Sequence, residues 1–227
     1  MADRAEGRLV DLSHVIEEGM TTFKGLPGPH ICDFWTREAS AANYSDGSTF
    51  QIGRIDMVSN TGTYVDSPFH RYADGKDLSE LPLGSLADLD GLVVRRPFED
   101  GLAVDADAFD GLDVRGRAVL VHTGWDRHWR TETYFSDHPF LTEAATHALI
   151  AGGAAFVGID SHNIDDTRTR GRPVHTLLLG ADIPIGEHLT GLEQLPDSGF
   201  RFSAVPPKIR GMGTFPVRAY ATIGLER

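Results

Sequence analysis

The sequence predicts an α/β fold, and three observations carry that expectation. The first is a β-α-β crossover. Residues 118–122 (Ala-Val-Leu-Val-His) form an apolar run of strand length. Residues 142–151 have helical spacing, with Leu141, Ala145, Ala148 and Leu149 on one stripe and Gly152-Gly153 ending it. Residues 154–159 are a second buried strand, and such a crossover sets two parallel strands side by side. The second is the alternating run from Phe50 to Val58, which reads as a strand. The third is a set of short strand-like segments at 9–12, 91–95 and 183–187.

Composition bounds the rest. With 227 residues, 41% of them hydrophobic and 24% charged, one domain over 1–227 of an ordinary globular protein is expected. A formal net charge of -12 argues against nucleic acid and anionic membranes as partners, because both select basic surfaces. The sole cysteine, Cys32, excludes an intrachain disulfide and suits a reducing compartment. No apolar run approaches the roughly 20 residues that span a bilayer. The opening Met1-Ala2-Asp3-Arg4-Ala5-Glu6-Gly7 lacks the apolar core of a signal peptide, so the cytoplasm is the expected location.

Taken in order, the first strand, 9–12, leads to Ser13-His14, where a turn bonded to nearby backbone is the simplest reading. Gly25 to His30 is loop by composition. The run at 50–58 leads into Asn60-Thr61-Gly62-Thr63-Tyr64-Val65-Asp66-Ser67-Pro68-Phe69-His70. If the extended geometry persists, Asn60, Gly62, Tyr64 and Asp66 share a face, and Pro68 ends the pairing with His70 on the turn beyond. An amide, a phenol, a carboxylate and an imidazole then converge within a few residues. Leu78, Leu81, Leu83 and Leu86 anchor an irregular segment, and the acidic span 105–113 reads as a solvated helix or turn. Functional residues in parallel sheets gather beyond the carboxyl ends of strands, which here means His122, Trp125 and Asp160. The long loop from Arg127 to Pro139, rich in Trp129, Tyr134, Phe135, His128 and His138, reads as a lid or a dimer contact. The segment 165–171 is charged and loop-like, and the short strand at 183–187 ends on Glu187.

The stretch from Asn60 to His70 resembles the signature of the cyclase family of metal-dependent hydrolases (arylformamidase-like, kynurenine-formamidase-like and isatin-hydrolase-like proteins), whose pattern is His-x-Gly-Thr-His-x-Asp-x-Pro-x-His. Gly62, Thr63, Asp66, Pro68 and His70 match, while Asn60 and Tyr64 stand where the family has two metal-binding histidines. The opening Asp11-Leu12-Ser13-His14 and the closing 202–218 are similar too, so the likeness runs nearly end to end. It implies the family's swivelling β/β/α architecture with a mixed central β-sheet and few helices, a homodimer or homotetramer, His70 as general base, and His175 and Glu187 as later metal-site positions. It also places the 25–30 loop near the active-site entrance. Phe23, Phe34, Trp35, Phe69 and Trp125 are then candidate substrate contacts, although core packing is the commoner role for aromatic side chains.

Two chemistries are open to these residues. In the first, Asp66, His175 and Glu187 hold one divalent ion, zinc or manganese, that activates water for attack on the C–N bond of a small amide, lactam or formamide, or on an ester or lactone. In the second, no metal takes part: Tyr64 and Asn60 stabilise an oxyanion, His70 acts as base beside Asp66, and the reaction is a hydrolysis, cyclisation, dehydration or isomerisation. A non-catalytic relative that binds a small molecule is a third reading. Arg71 and Arg168 are candidates to attract an anionic substrate to an otherwise acidic protein.

Overall fold

The computed structural model describes residues 7–224. In chain order its elements are β1 (Arg8–Asp11), β2 (His30–Trp35), α1 (Arg37–Ser40), β3 (Ile52–Asp56), β4 (Tyr64–Asp66), β5 (Leu89–Arg95), β6 (Ala103–Val104) and β7 (Ala118–His122). There follow β8 (Phe140–Leu141), α2 (Glu143–Gly152), β9 (Phe156–Ile159), α3 (Pro173–Gly180), β10 (Ile185–Glu187), β11 (Ser198–Ser203), β12 (Thr214–Pro216) and β13 (Tyr220–Ile223). The N-terminal stretch Met1–Glu6, read above for a targeting signal, lies outside the described residues.

Nine strands form one sheet in the order β1-β13-β11-β5-β7-β9-β10-β4-β12. Its centre, β5-β7-β9-β10, is parallel. The flanking pairs are antiparallel, so the sheet is mixed, and β7 and β9 are the parallel pair that the crossover predicted. The central strands read as unbroken apolar runs because both faces are covered. Val119, Val121, Val157 and Ile159 face a cluster closed by Ala145 and Leu149 of α2 and Val174 and Leu178 of α3. Ala118, Leu120 and Phe156 face the opposite way, into a cluster with Val10, Leu12, Phe200 and Phe202. The period-two alternation of strand side chains separates the two cores. Helix α2 is set at both ends: the Thr142 hydroxyl accepts the Ala145 N–H at 3.1 Å, and Gly153 takes φ +80° at the C-terminus. Among the described residues no helix is long and apolar enough to cross a membrane.

Several expectations change. The run at 50–58 does form a strand, β3, but it pairs only with β2 in a separate two-stranded ribbon, and all five of its residues are exposed. Extended geometry does not persist to Asp66, because Gly62 turns the chain with φ +66° and β4 starts afresh at Tyr64. The 127–139 loop folds inward: Tyr134 is fully buried and His138 nearly so. The acidic span forms a 3-10 turn that buries Ala108 and Phe109 in the core. Of the four leucines, Leu78 and Leu86 are buried, whereas Leu83 is exposed.

Candidate active site

The site lies where the parallel centre of the sheet gives way to antiparallel strands. β10 runs parallel to β9 and antiparallel to β4, and β12 closes the edge beyond β4. Register then decides which side chains meet. Tyr64 and Asp66, two apart, share a face; Glu187 stands opposite Tyr64, and Thr214 opposite Asp66. The Tyr64 hydroxyl donates to Glu187 Oε2 at 2.6 Å, and the Thr214 hydroxyl donates to Asp66 Oδ1. A one-residue slip would turn all four away from one another.

His70 enters from the 3-10 turn Pro68–His70, which Pro68 starts and in which the His70 N–H donates to the Ser67 carbonyl. The turn packs against Gly213, where a Cβ would come within 2.5 Å of the His70 backbone nitrogen, so glycine is required there. That contact brings Thr214 Oγ1 to 2.9 Å from His70 Nδ1. With the Thr214 proton given to Asp66, His70 Nδ1–H donates to Thr214, and Nε2 keeps its lone pair.

His175 sits in the first turn of α3, which Pro173 opens. Asp165 caps that turn: its carboxylate accepts the Val174 N–H at 2.8 Å and the His175 N–H at 3.1 Å. It also accepts from His175 Nδ1 at 2.6 Å, which fixes the ring and leaves Nε2 free. That nitrogen lies 3.6 Å from Asp66 Oδ2 and 3.6 Å from Glu187 Oε1. Glu187 Oε1 also accepts the Ile164 N–H at 2.7 Å.

A cavity of about 280 Å³ opens over this cluster. Tyr64, His70, His175 and Glu187 form its reactive wall, and Phe23, Leu26, Asn60 and Asn163 line it too. Of the aromatic residues expected to contact substrate, only Phe23 lies on it. Trp35 packs on Phe50 in the ribbon, with ring centroids 5.3 Å apart. Trp125 is buried against Phe98 and donates its indole N–H to the Tyr134 carbonyl. Phe69 is half-buried beside the site but outside the cavity wall, and Phe34 is exposed on β2.

Charge in the cluster is unbalanced. Asp66, Asp165 and Glu187 are all buried, and among the described residues neither lysine nor arginine pairs with any of them. Burial opposes ionisation of Asp66, but the His175 and His70 imidazoles hold its carboxyl below the usual range. Burial also opposes the charged form of His175, yet Glu187, Asp165 and Asp66 outweigh it and lift the ring to about 10. Burial raises Glu187 to about 7, with the negative charge of Asp66 adding to the rise. Burial, then Glu187 and Asp66, push the Tyr64 phenol well above its usual 10, so it is a neutral donor.

These residues fit a cation. Asp66 Oδ2 is buried without a hydrogen-bond partner. The donor atoms of Asp66, His70 and His175 all lie within 4.8 Å of one another. Two ligands about 2.1 Å from one tetrahedral ion stand about 3.4 Å apart, close to the 3.6 Å by which His175 Nε2 is separated from each carboxylate. Asp66 and His175 belong to either choice of ligands. Glu187, expected as the third, lies 3.6 Å from His175 Nε2 and also accepts from Tyr64 and Ile164, while His70 stands beside the cluster with a ring nitrogen within 4.8 Å of Asp66 and His175.

Asp165, Thr214, Asn163 and Arg172 are site residues that sequence reasoning missed. Asp165 gave no local signal, since it lies in a charged loop eight residues ahead of Pro173 and only the fold brings it to the start of α3. Thr214 had none, since only the register of β12 brings it to Asp66.

Comparison with known proteins agrees with this fold. Residues 10–166 match the Cyclase family profile, described as "Putative cyclase". A kynurenine formamidase of Geobacillus thermodenitrificans (strain NG80-2) is 25% identical over 213 residues, covering 92% of this chain and 95% of its own. One from Salinibacter ruber (strain DSM 13855 / M31) is 26% identical, covering 93% and 95%. An isatin hydrolase bound to the product analogue thioisatinate superposes with a TM-score of 0.81 at 22% identity, covering 96% of this chain and 93% of its own, which is a likeness of fold. A potential metal-dependent hydrolase with cyclase activity superposes at 0.76 with 25% identity, covering 96% and 98%. The chain belongs to the Cyclase family.

Proposed function

We propose that this chain is a hydrolase acting on the C–N bond of a small amide, lactam or formamide, with an ester or lactone as the neighbouring chemistry. The observation that carries the proposal is the buried meeting of Asp66, His175 and Glu187 beneath a cavity that His70 lines. Relatives named kynurenine formamidase and a fold neighbour named isatin hydrolase support it.

Asp66, His175 and Glu187 would hold one divalent ion, which leaves His70 to act as base. Two oxygen donors and one imidazole suit zinc or manganese. Such an ion supplies a Lewis acid and lowers the pKa of its water from 15.7 to about 7. The protein's part is to position and to move protons. Asp165 locks His175 so that Nε2 faces the carboxylates. With Nδ1 donating to Thr214, His70 presents Nε2 as a base, 36% exposed at the cavity, to take a proton from attacking water and return it to the leaving nitrogen. The metal-free reading loses ground here: the Tyr64 proton is committed to Glu187 at 2.6 Å and is not free for an oxyanion.

The chain is read as one domain over 1–227 that works as a cytoplasmic homodimer or homotetramer. Its candidate contact is the β2–β3 ribbon, where Phe34, Ile55, Ile52 and Trp35 are exposed. Elemental analysis of the purified protein, paired with turnover of formanilide before and after chelation, tests the proposal. About one zinc or manganese per chain, with activity lost to the chelator and restored by the ion, is the expected result. Full turnover in a metal-free preparation would overturn the metal step, and no cleavage of any amide, lactam or ester would overturn the hydrolase.

A further inference from the structure

The cavity is acidic at its floor and basic at its mouth. Besides the residues already described it is lined by Arg71 and Arg172. Arg71 follows His70 directly and donates Nε–H to Thr176 Oγ1 at 3.0 Å, a hydroxyl that leaves its charge intact. One terminal nitrogen of Arg172 donates to the Gly171 and Thr169 carbonyls at 2.6 and 2.9 Å, again neutral partners. Among the described residues neither guanidinium lies within 4.0 Å of a carboxylate, and on each of them two nitrogens make no hydrogen bond. Arg168, the other arginine considered for this role, is spent: Nε and a terminal nitrogen grip both Asp166 oxygens at 2.9 and 3.0 Å.

In a chain of net charge -12 the long-range field repels an anion, so attraction for one has to be local. Two guanidiniums anchored by neutral groups, at the mouth of a cleft whose floor suits a cation, supply it. We infer that the substrate carries a carboxylate remote from the bond that is cut, and that Arg71 and Arg172 bind it while the scissile carbonyl lies over Asp66 and His175. This rests on the hydrolase reading for the identity of the scissile group, but the anion preference is measurable without turnover.

Acetophenone and its ring-carboxylated analogue acetylbenzoate, ketones that a hydrolase does not cleave, are the probes, with binding followed by calorimetry on the metal-loaded protein. Acetylbenzoate is expected to bind about tenfold more tightly, and the advantage should shrink on going from about 20 mM to about 500 mM salt. Arg71→Gln and Arg172→Gln should each bring the ratio of the two dissociation constants several-fold toward one. Because Arg172 also ties down the 166–171 loop, Arg71→Gln is the deciding variant. Equal affinities, no binding of either ketone, or a preference unmoved by Arg71→Gln (the carboxylate then going to the ion) would each overturn the inference. A preference that follows Arg71 in a protein with no amide turnover would leave it standing and sink the hydrolase instead.

Discussion

The β2–β3 ribbon and the β4–β10–β12 corner are inverted versions of one another. In the corner, Asp66, Asp165, Glu187 and His175 are packed away from water. On the ribbon, Ile31, Phe34, Trp35, Ile52 and Ile55 stand in it. Each arrangement is costly alone: buried carboxylates call for a cation or hydrogen-bond donors, and an isolated two-stranded hairpin is at best marginally stable in water. Under the proposed function each region is half of a contact, one to be completed by an ion and substrate and the other by a second surface.

The sharpest way to break the comparison is to empty the corner. His70→Ala should lower kcat by about 10²- to 10⁴-fold, while Asp66→Asn should remove both activity and bound metal, read by turnover and elemental analysis together. Loss of turnover with metal retained in His70→Ala would separate base from ligand.

Acid offers the next largest effect. Burial holds His162 down to about 3, and burial, partly opposed by Asp126, holds His14 to about 4. Both folded values lie below the unfolded 6.5, so the unfolded chain takes up protons first. The stability that these two rings contribute is therefore full above pH 6.5 and falls as pH drops toward 4. The loss is roughly 3 kcal/mol for His162 near the bottom of the window and less for His14, part of whose ring reaches solvent. Urea midpoints measured from pH 7.5 to 4 check this, and His162→Gln should flatten the slope.

Smaller again is Tyr64→Phe, which strands Glu187 Oε2 and should cost about 1–3 kcal/mol in denaturant unfolding. The smallest effect belongs to the ribbon. Phe34→Ser should change the stability of the isolated chain by no more than about 0.5 kcal/mol. In sedimentation, however, it should shift assembly toward monomer; an unchanged oligomer would move the contact elsewhere.

What the sequence disclosed follows from where information is local. β7, α2 and β9 were legible because both faces of the central strands are buried and α2 carries its own cap and stop. Asp66, His70, His175 and Glu187 were legible through the family resemblance. The path to them was not, because the positive φ of Gly62 breaks the extended run that Asn60 to Asp66 suggests. His175 gave no sign of standing on a helix, since the eight residues of α3 follow a charged loop whose Asp165 looks solvated until its three hydrogen bonds to α3 are seen. Trp125 looked like a ligand-facing ring at a strand end, yet its indole N–H is satisfied by the Tyr134 carbonyl within the fold.

The contact between Gly213 and the His70 backbone also sets a timetable. His70 and the Thr214 hydroxyl that holds its ring are separated by more than half the polypeptide, and the late one is supplied by the strand on the sheet's rim. If His70 is the base proposed above, a nascent chain holds an idle histidine until residue 214 has emerged and docked. Proteolytic clipping just ahead of Gly213 would return the enzyme to that state while leaving the β5-β7-β9-β10 centre folded.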